Sequence, residues 1–448
     1  MKDGLARTAS ALARISARYV PDAFAIACVL SLLTLLLGIA LGGATPEKAV
    51  LAWGNGFWSL LSFSMQIALV IFAGYVLAVA PPVQKGLDAL AGFARTPRQA
   101  VFGTALLSMT LCWLNWGMGL IASAVLVRMM ARRHPGADYR LLVASAYLGL
   151  GTTWHGGPSG TVPLLLATPD SFLIRDGLLV APIALGATIF TPENLGFTAL
   201  VTLGLSLLAA SLHPRAEGAV QVEATALDRI VSFEVPAPPA APTPAEGLMH
   251  APWLNRALGG LGLVYCALQA RAGAWSPTLD SVNLAVLTLA LLLHPSAASV
   301  VRAAEEASRP LHGVVLQFPL YAGIYGIIKD TGLAEALAHA FLAIATPPTF
   351  PFVVFVYSAI LNYWVPSGGA KWAMEAPYLL DAARALGVGP ARVAMAYAYG
   401  DMATNLIQPF WAIPLLGVAR LQFRDILGFE LIFLAVYGTA VAGLLLLF

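Results

Sequence analysis

The sequence predicts an all-α polytopic membrane protein built from two repeats with discontinuous helices and re-entrant hairpins. Three observations carry that expectation: long apolar segments throughout, Gly/Pro interruptions inside some of them, and a short polar linker near the middle. Of 448 residues, 59% are hydrophobic and 11% charged, with a mean hydropathy of +0.78. A soluble domain carries about 25% charged residues, so an ordinary soluble protein is excluded. A helix needs about 20 apolar residues to span a bilayer core. Candidate spans cover 21–42, 59–80, 100–131, 141–169, 177–190, 195–212, 253–270, 282–294, 310–328, 349–384, 391–420 and 426–448. Those at 100–131 and 349–384 are compound. None alternates as the strands of an outer-membrane barrel do.

The basic residues set orientation. Lys2, Arg7, Arg14 and Arg18 precede the first span, Lys85, Arg95 and Arg98 follow the second, and Arg128, Arg132, Arg133 and Arg140 follow the next compound segment. Short basic loops stay in the cytoplasm, which places the N-terminus there. The apolar stretch from Phe24 to Leu41 reads as an uncleaved first span rather than a signal peptide. A net charge of +2 gives no reason to expect nucleic acid. Cys28, Cys112 and Cys266 lie in apolar segments at spacings that make neither a metal site nor a disulfide framework, so they read as small buried hydrophobes.

Residues 214–252 form a soluble-looking linker, with a Pro/Ala run from Val235 to Ala245. It separates an N-terminal transmembrane repeat, 1–213, from a C-terminal one, 253–448. The repeat shows in ordered matches at a spacing of 251 residues: Gln66 with Gln317, Gly149 with Gly400, Pro158 with Pro409, and Pro163 with Pro414. Between them Leu114-Asn115-Trp116 meets Leu361-Asn362-Tyr363 at a spacing of 247. Repeats in carriers are often inverted across the membrane, with the substrate held between them near the midplane.

The matched positions fall where a helix should fail. The first break runs from Gly149 to Pro163, and its Gly156-Gly157-Pro158 cannot continue a helix comfortably in hydrocarbon. Backbone freed there must be buried in protein or line a wet cavity. The second break, Gly400 to Pro414, carries Asp401, Thr404, Asn405 and Gln408. Before it, Asn362 to Pro377 reads as a re-entrant hairpin with its tip at Pro366-Ser367-Gly368-Gly369. A helix restarting there, capped by Ser367, presents free N–H groups that suit an anion. Asn115 to Ser123 is the milder first-half partner. Charges inside a membrane are rare and functional by default, which singles out Lys371, Glu375 and Asp401. Lys371 and Glu375, four apart, either pair with each other or divide the work, Lys371 neutralising a carboxylate while Glu375 or Asp401 handles a proton or cation. His155 reads as a packed, hydrogen-bonded residue before a proton relay.

At these motifs the chain resembles the AtoE-type short-chain fatty acid transporter family. The resemblance rests on Trp53-Gly-Asn-Gly-Phe-Trp58, Asn115-Trp-Gly-Met-Gly119, Ser159-Gly160 with Pro163-Leu-Leu, Leu316-Gln-Phe-Pro-Leu-Tyr-Ala-Gly323, Val365-Pro-Ser-Gly-Gly369 and Ala398-Tyr-Gly-Asp401 with Asn405 and Gln408-Pro-Phe-Trp-Ala412. It covers most of the chain except the linker. It implies a multi-pass secondary carrier of a bacterial inner membrane for short monocarboxylates such as butyrate or acetoacetate. The wider ion-transporter group that the family resembles has two inverted repeats, re-entrant hairpins and a transport domain that slides against a scaffold.

The expected substrate site comprises Asn115, Thr153, Ser159, Gly160, Thr161, Asn362, Ser367, Gly368, Gly369, Lys371, Asn405 and Gln408. Ion coupling falls to Asp401 and Glu375 with Asn115 and Asn362. No cofactor is expected beyond H⁺ or Na⁺, with Na⁺ near Asn115, Asn362 and Asp401. The expected partners are a small carboxylate and the lipid bilayer, and a homo-oligomer stays open. Two rivals remain: a passive anion channel, and an intramembrane serine protease suggested by Gly157-Pro-Ser-Gly160. No Walker-type loop points to a nucleotide-driven pump.

Overall fold

Helix starts are written into the sequence as a polar cap followed by proline. Thr45, Thr96, Thr191 and Thr243 each precede a proline at the first helical position, and each hydroxyl accepts a hydrogen bond from a first-turn N–H. Proline has no N–H to waste there, and its fixed φ suits the helix. A computed structural model describes residues 23–214, 218–222, 233–309, 311–408, 411–412, 415–416, 419 and 421–447, and its regular elements are all helical. Pro409 and Pro414, and the basic residues Lys2, Arg7, Arg14 and Arg18, lie outside the described residues.

Among the described residues, four helices are long and apolar enough to cross a membrane alone: Leu61–Ala78, Pro192–Ser211, Leu311–Asp330 and Phe423–Leu447. Shorter apolar helices, Ala23–Ala40 and Leu279–Leu293 among them, stand beside these four. The Pro252–Arg271 helix exposes Trp253, Leu258, Leu261, Val264 and Leu268, as a lipid-facing helix of a multi-pass membrane protein must. Pro46–Gly56, Pro81–Ala91 and Ala297–Ser308 are short helices with polar faces that the hydropathy pattern did not single out.

The two compound segments are hairpins. Pro97–Leu114 and Trp116–Arg133 turn about the single extended residue Asn115. The arms pack so closely that a Cβ on Gly119 would collide with the Cys112 backbone, and at the open end a Cβ on Gly136 would lie 3.6 Å from the Pro97 ring. Phe350–Trp364 and Gly368–Leu386 turn about Val365–Ser367, with Tyr357 and Tyr378 hydroxyls meeting at 2.9 Å across the arms. The hairpins open at opposite ends of the molecule. The first opens where Arg133 pairs with Asp88. The second opens where Phe350 packs on Phe341 and Arg384 reaches the Leu178 carbonyl, beside the Lys329–Asp176 ion pair.

Each hairpin clasps a broken helix. Tyr139–Thr152 stops at Thr153, passes through a single turn at Trp154–Gly156 and resumes as Thr161–Ala167. Pro390–Asn405 stops at the second break. Gly149 lies on the Ser108 carbonyl and Gly400 on the Phe355 carbonyl, where in each case a side chain would strike backbone.

The 177–190 segment departs from expectation. It is irregular apart from one short turn at Leu185–Ala187. Gly177 takes a left-handed φ of 72°, and Pro182 and Gly186 interrupt what remains. Its apolar residues Leu179, Leu185 and Ile189 are buried against the core, and Ile183 N–H donates to the Leu166 carbonyl. Apolar character there reflects packing on the protein rather than a crossing. In the linker, residues 237–245 are exposed, and Pro244–His250 forms a short helix closed by a Thr243/Glu246 capping box.

Candidate functional site

Both breaks and both hairpin tips converge. Asn405 Nδ2 donates to the Leu150 carbonyl at 3.1 Å and Tyr147 donates to the Gln408 carbonyl at 3.3 Å, so the broken helices cross where each is interrupted. The freed backbone is satisfied largely by side chains, as burial in a membrane requires. Gly156 O accepts from Trp113 Nε1 and Asn194 Nδ2. Ser159 Oγ accepts from Trp116 N–H at the first tip, 2.9 Å away. Asn115 Oδ1 caps its own helix at Met118 N–H, and Asn362 Nδ2 donates to Asn405 Oδ1 at 2.8 Å.

A buried charge centre lies at the crossing. Asp401 Oδ2 accepts from His155 Nδ1 at 2.9 Å. The other ring nitrogen, Nε2, accepts from Val162 N–H at 3.1 Å. A nitrogen that accepts carries no proton, so the ring is neutral and its proton faces Asp401. Lys371 Nζ lies 3.4 Å from Asp401 Oδ1 and 3.8 Å from Glu375 Oε1. Its shortest bond, 2.6 Å, goes to Ser358 Oγ, and it sits 4.1 Å above the Tyr397 ring. Lys371 therefore ties the second hairpin arms to Asp401, beyond any pairing with Glu375. Both Glu375 oxygens lack a hydrogen-bond donor among the described residues.

A cavity of about 560 Å³ reaches this crossing. Thr161, Ser367, Gly368, Gly369, Asp401 and Asn405 line its inner end, and Arg309 and His312 also line it, both exposed. Ser367 caps the second hairpin helix through Ala370 N–H. The N–H groups of Gly368 and Gly369 lie in the first turn, where a helix has no internal acceptor for them. Of the residues singled out in the sequence, Asn115, Thr153, Ser159, Gly160, Asn362, Lys371, Glu375 and Gln408 stand behind the lining. Thr153, for one, donates to the Met109 carbonyl. Ser159 and His155 each engage other partners, so no base–nucleophile contact joins them. Sequence reasoning missed Ser358, Tyr397 and the tryptophans Trp116, Trp154 and Trp411; the last three stand beside breaks or tips, which was the available signal.

The fold as a whole has a counterpart among solved structures. The fold is similar to that of the Alcanivorax borkumensis YdaH transporter, described as having an unusual topology, with a TM-score of 0.64 at 18% identity, covering 95% of this chain and 98% of that one. The family profile described as "Short chain fatty acid transporter" matches residues 4–448. The chain belongs to the short chain fatty acid transporter family. Relatives include an Escherichia coli (strain K12) protein, 37% identical over 95% of this chain and 96% of its own length. A Haemophilus influenzae (strain ATCC 51907 / DSM 11121 / KW20 / Rd) protein is 34% identical over the same shares. The names of both propose short-chain fatty acid transport. The family resemblance read from the motifs thus holds over residues 4–448.

Proposed function

We propose that this chain is a secondary carrier of short-chain monocarboxylates, such as butyrate or acetoacetate, in a bacterial cytoplasmic membrane. The observation that carries the proposal is the meeting of the first-turn N–H groups of Gly368 and Gly369, which have no acceptor within their own helix, with a buried Asp401–Lys371–His155 centre at the end of one cavity. Backbone N–H groups and the positive end of the helix suit a carboxylate. Asp401 Oδ2 abuts Gly368: a Cβ there would lie 2.8 Å from it. A substrate anion at the tip therefore sits beside a second anion, and two neighbouring carboxylates are disfavoured unless positive charge joins them. Lys371 supplies part of that charge and a coupling H⁺ or Na⁺ supplies the rest. Glu375 offers a second carboxyl that no hydrogen-bond donor occupies among the described residues.

Two halves related by inversion support alternating access. Supporting this, the hairpins open at opposite ends, and the paired glycines Gly149 and Gly400 meet their own hairpins in the same way. The end where the first hairpin opens carries Lys85, Arg95, Arg98, Arg132 and Arg133, which supports a cytoplasmic position for it. Tyr75, whose hydroxyl bonds Glu306, lines the cavity near that end with Arg309 and His312, which supports reading the conformation as inward-open. The Ala23–Ala40 helix starts from the same end, since Phe24 lines the cavity and Gly38 packs on Thr331 at the other.

The test is counterflow in proteoliposomes with a series of monocarboxylates, under imposed pH and sodium gradients. Saturable exchange that responds to one gradient is expected, and Asp401→Asn should exchange substrate without responding to it. Non-saturable flux would favour a channel, and intact gradient-driven uptake by Asp401→Asn would remove Asp401 from coupling.

A further inference from the structure

Three indoles connect the four interruptions of the fold. Trp116 begins the second arm of the first hairpin, Trp154 lies in the first break, and Trp411 lies in the second. The Trp116 ring meets Trp154 and Trp411 edge to face, each with centroids 5.6 Å apart. Trp411 Nε1 donates to the Pro366 carbonyl at 2.8 Å, which joins the trio to the second tip. All three rings line the cavity at its inner end, together with Ser367, Gly368 and Gly369.

We propose that Trp116, Trp154 and Trp411 form the wall that gauges the acyl tail of the substrate. The inference rests on the function proposed above and sharpens it, because it says what makes the acid short. A carboxylate held by the Gly368 and Gly369 N–H groups leaves its alkyl tail beside these rings. Each methylene that packs there in place of water gains about fourfold in affinity. Once the tail reaches the wall, further methylenes require rigid rings to move, and overpacking reverses the gain. The rings are held from several sides. Trp154 stacks on His155, centroids 4.2 Å apart and planes 16° off parallel, and Trp411 is pinned by its hydrogen bond. A wall tied to both breaks and to the second tip also registers whether those elements are together.

Trp116 is the position to change. Its indole Nε1 has no hydrogen-bond partner among the described residues, so shortening its side chain breaks no side-chain bond. Trp154 leans on the charge centre and Trp411 on the tip, so replacing either would confound size with assembly.

The experiment uses the full chain in proteoliposomes, with straight-chain acids from acetate to octanoate competing in counterflow, for wild type, Trp116→Phe and Trp116→Ala. Wild type should prefer the short acids. Trp116→Ala should shift the preference toward longer ones, changing the hexanoate-to-butyrate ratio of apparent affinities by about 10-fold. Trp116→Phe, which retains an aromatic ring, should shift it the same way by about threefold. If Trp116→Ala does not yield folded protein, Trp116→Phe decides alone. An unchanged ranking of acids with only a uniform loss of rate overturns the gauge and leaves the function standing. A wild type that exchanges no monocarboxylate overturns the function, and the gauge with it.

Discussion

In the first hairpin the arms turn on one residue, Asn115, and no charged side chain lies between Gln99 and Val127. In the second, the arms turn on Val365–Ser367, and Lys371 and Glu375 are wholly buried behind the tip. The first is held shut by its own backbone, with Gly119 against Cys112. The second is joined to its surroundings by polar atoms: Lys371 to Ser358 and Asp401, and the Tyr397 hydroxyl to the Gly368 carbonyl at 2.6 Å. Gly368 and Gly369 pack against Asp401, His155, Phe63 and Thr161 rather than against their own arm. One geometry thus serves two purposes. A hairpin closed by packing is a stiff wedge, whereas one closed by an ion network leaves its first-turn N–H groups without an acceptor in their own helix and its position sensitive to charge.

Removing the charge should do the most damage. Lys371→Met leaves Asp401 and Glu375 buried without their cation, and breaking a buried pair from one side costs about 3–5 kcal/mol. The expected outcome is a large fall in melting temperature in detergent, largely reversed when Asp401→Asn is added. A lone Lys371→Met that melts like wild type would show that the ion network does not hold the second hairpin. Packing comes next. Gly119→Val forces a side chain into the Cys112 backbone and should cost about 1–3 kcal/mol, read as lost stability. Gly369→Ala instead strikes Phe63 on the Leu61–Ala78 helix and Thr161 in the first broken helix, so it should slow transport more than it lowers melting temperature. The caps give the smallest effect. Asn115 Oδ1 caps at 2.8 Å and Ser367 Oγ at 3.4 Å, so Asn115→Ala should cost about 1 kcal/mol and Ser367→Ala about half that. Ser367→Ala should nevertheless raise KM severalfold, because Ser367 lines the cavity. Equal KM effects from both caps would erase the distinction between the tips.

Much of this site was legible because it breaks local rules. Prolines, glycines and amides inside apolar segments contradict the helix that hydropathy demands, and such conflicts concentrate at functional sites. That is why the first break, the Ser367 tip, Asp401 and the two hairpin charges stood out. Lys371 shows where reading stopped. Its spacing to Glu375 invited a pair, yet its close partners are Ser358, on the other arm, and Asp401. The tryptophans were quoted in motifs but given no role, since an indole in an apolar chain is unremarkable until its neighbours are known. The 177–190 segment failed in the other direction, because apolar residues pack against protein as readily as they face lipid.

The chain alone determined that this is an all-helical membrane protein, where its helices fail, and which charges must be accommodated inside it. Those follow from composition, backbone chemistry and the cost of burying charge, all local quantities. Tertiary structure decided which interruptions meet, that His155 reaches Asp401 across 246 residues, and that Gly368, Gly369 and three indoles share one cavity. Those depend on the crossing of two broken helices, a relation between segments distant in sequence that no local pattern encodes.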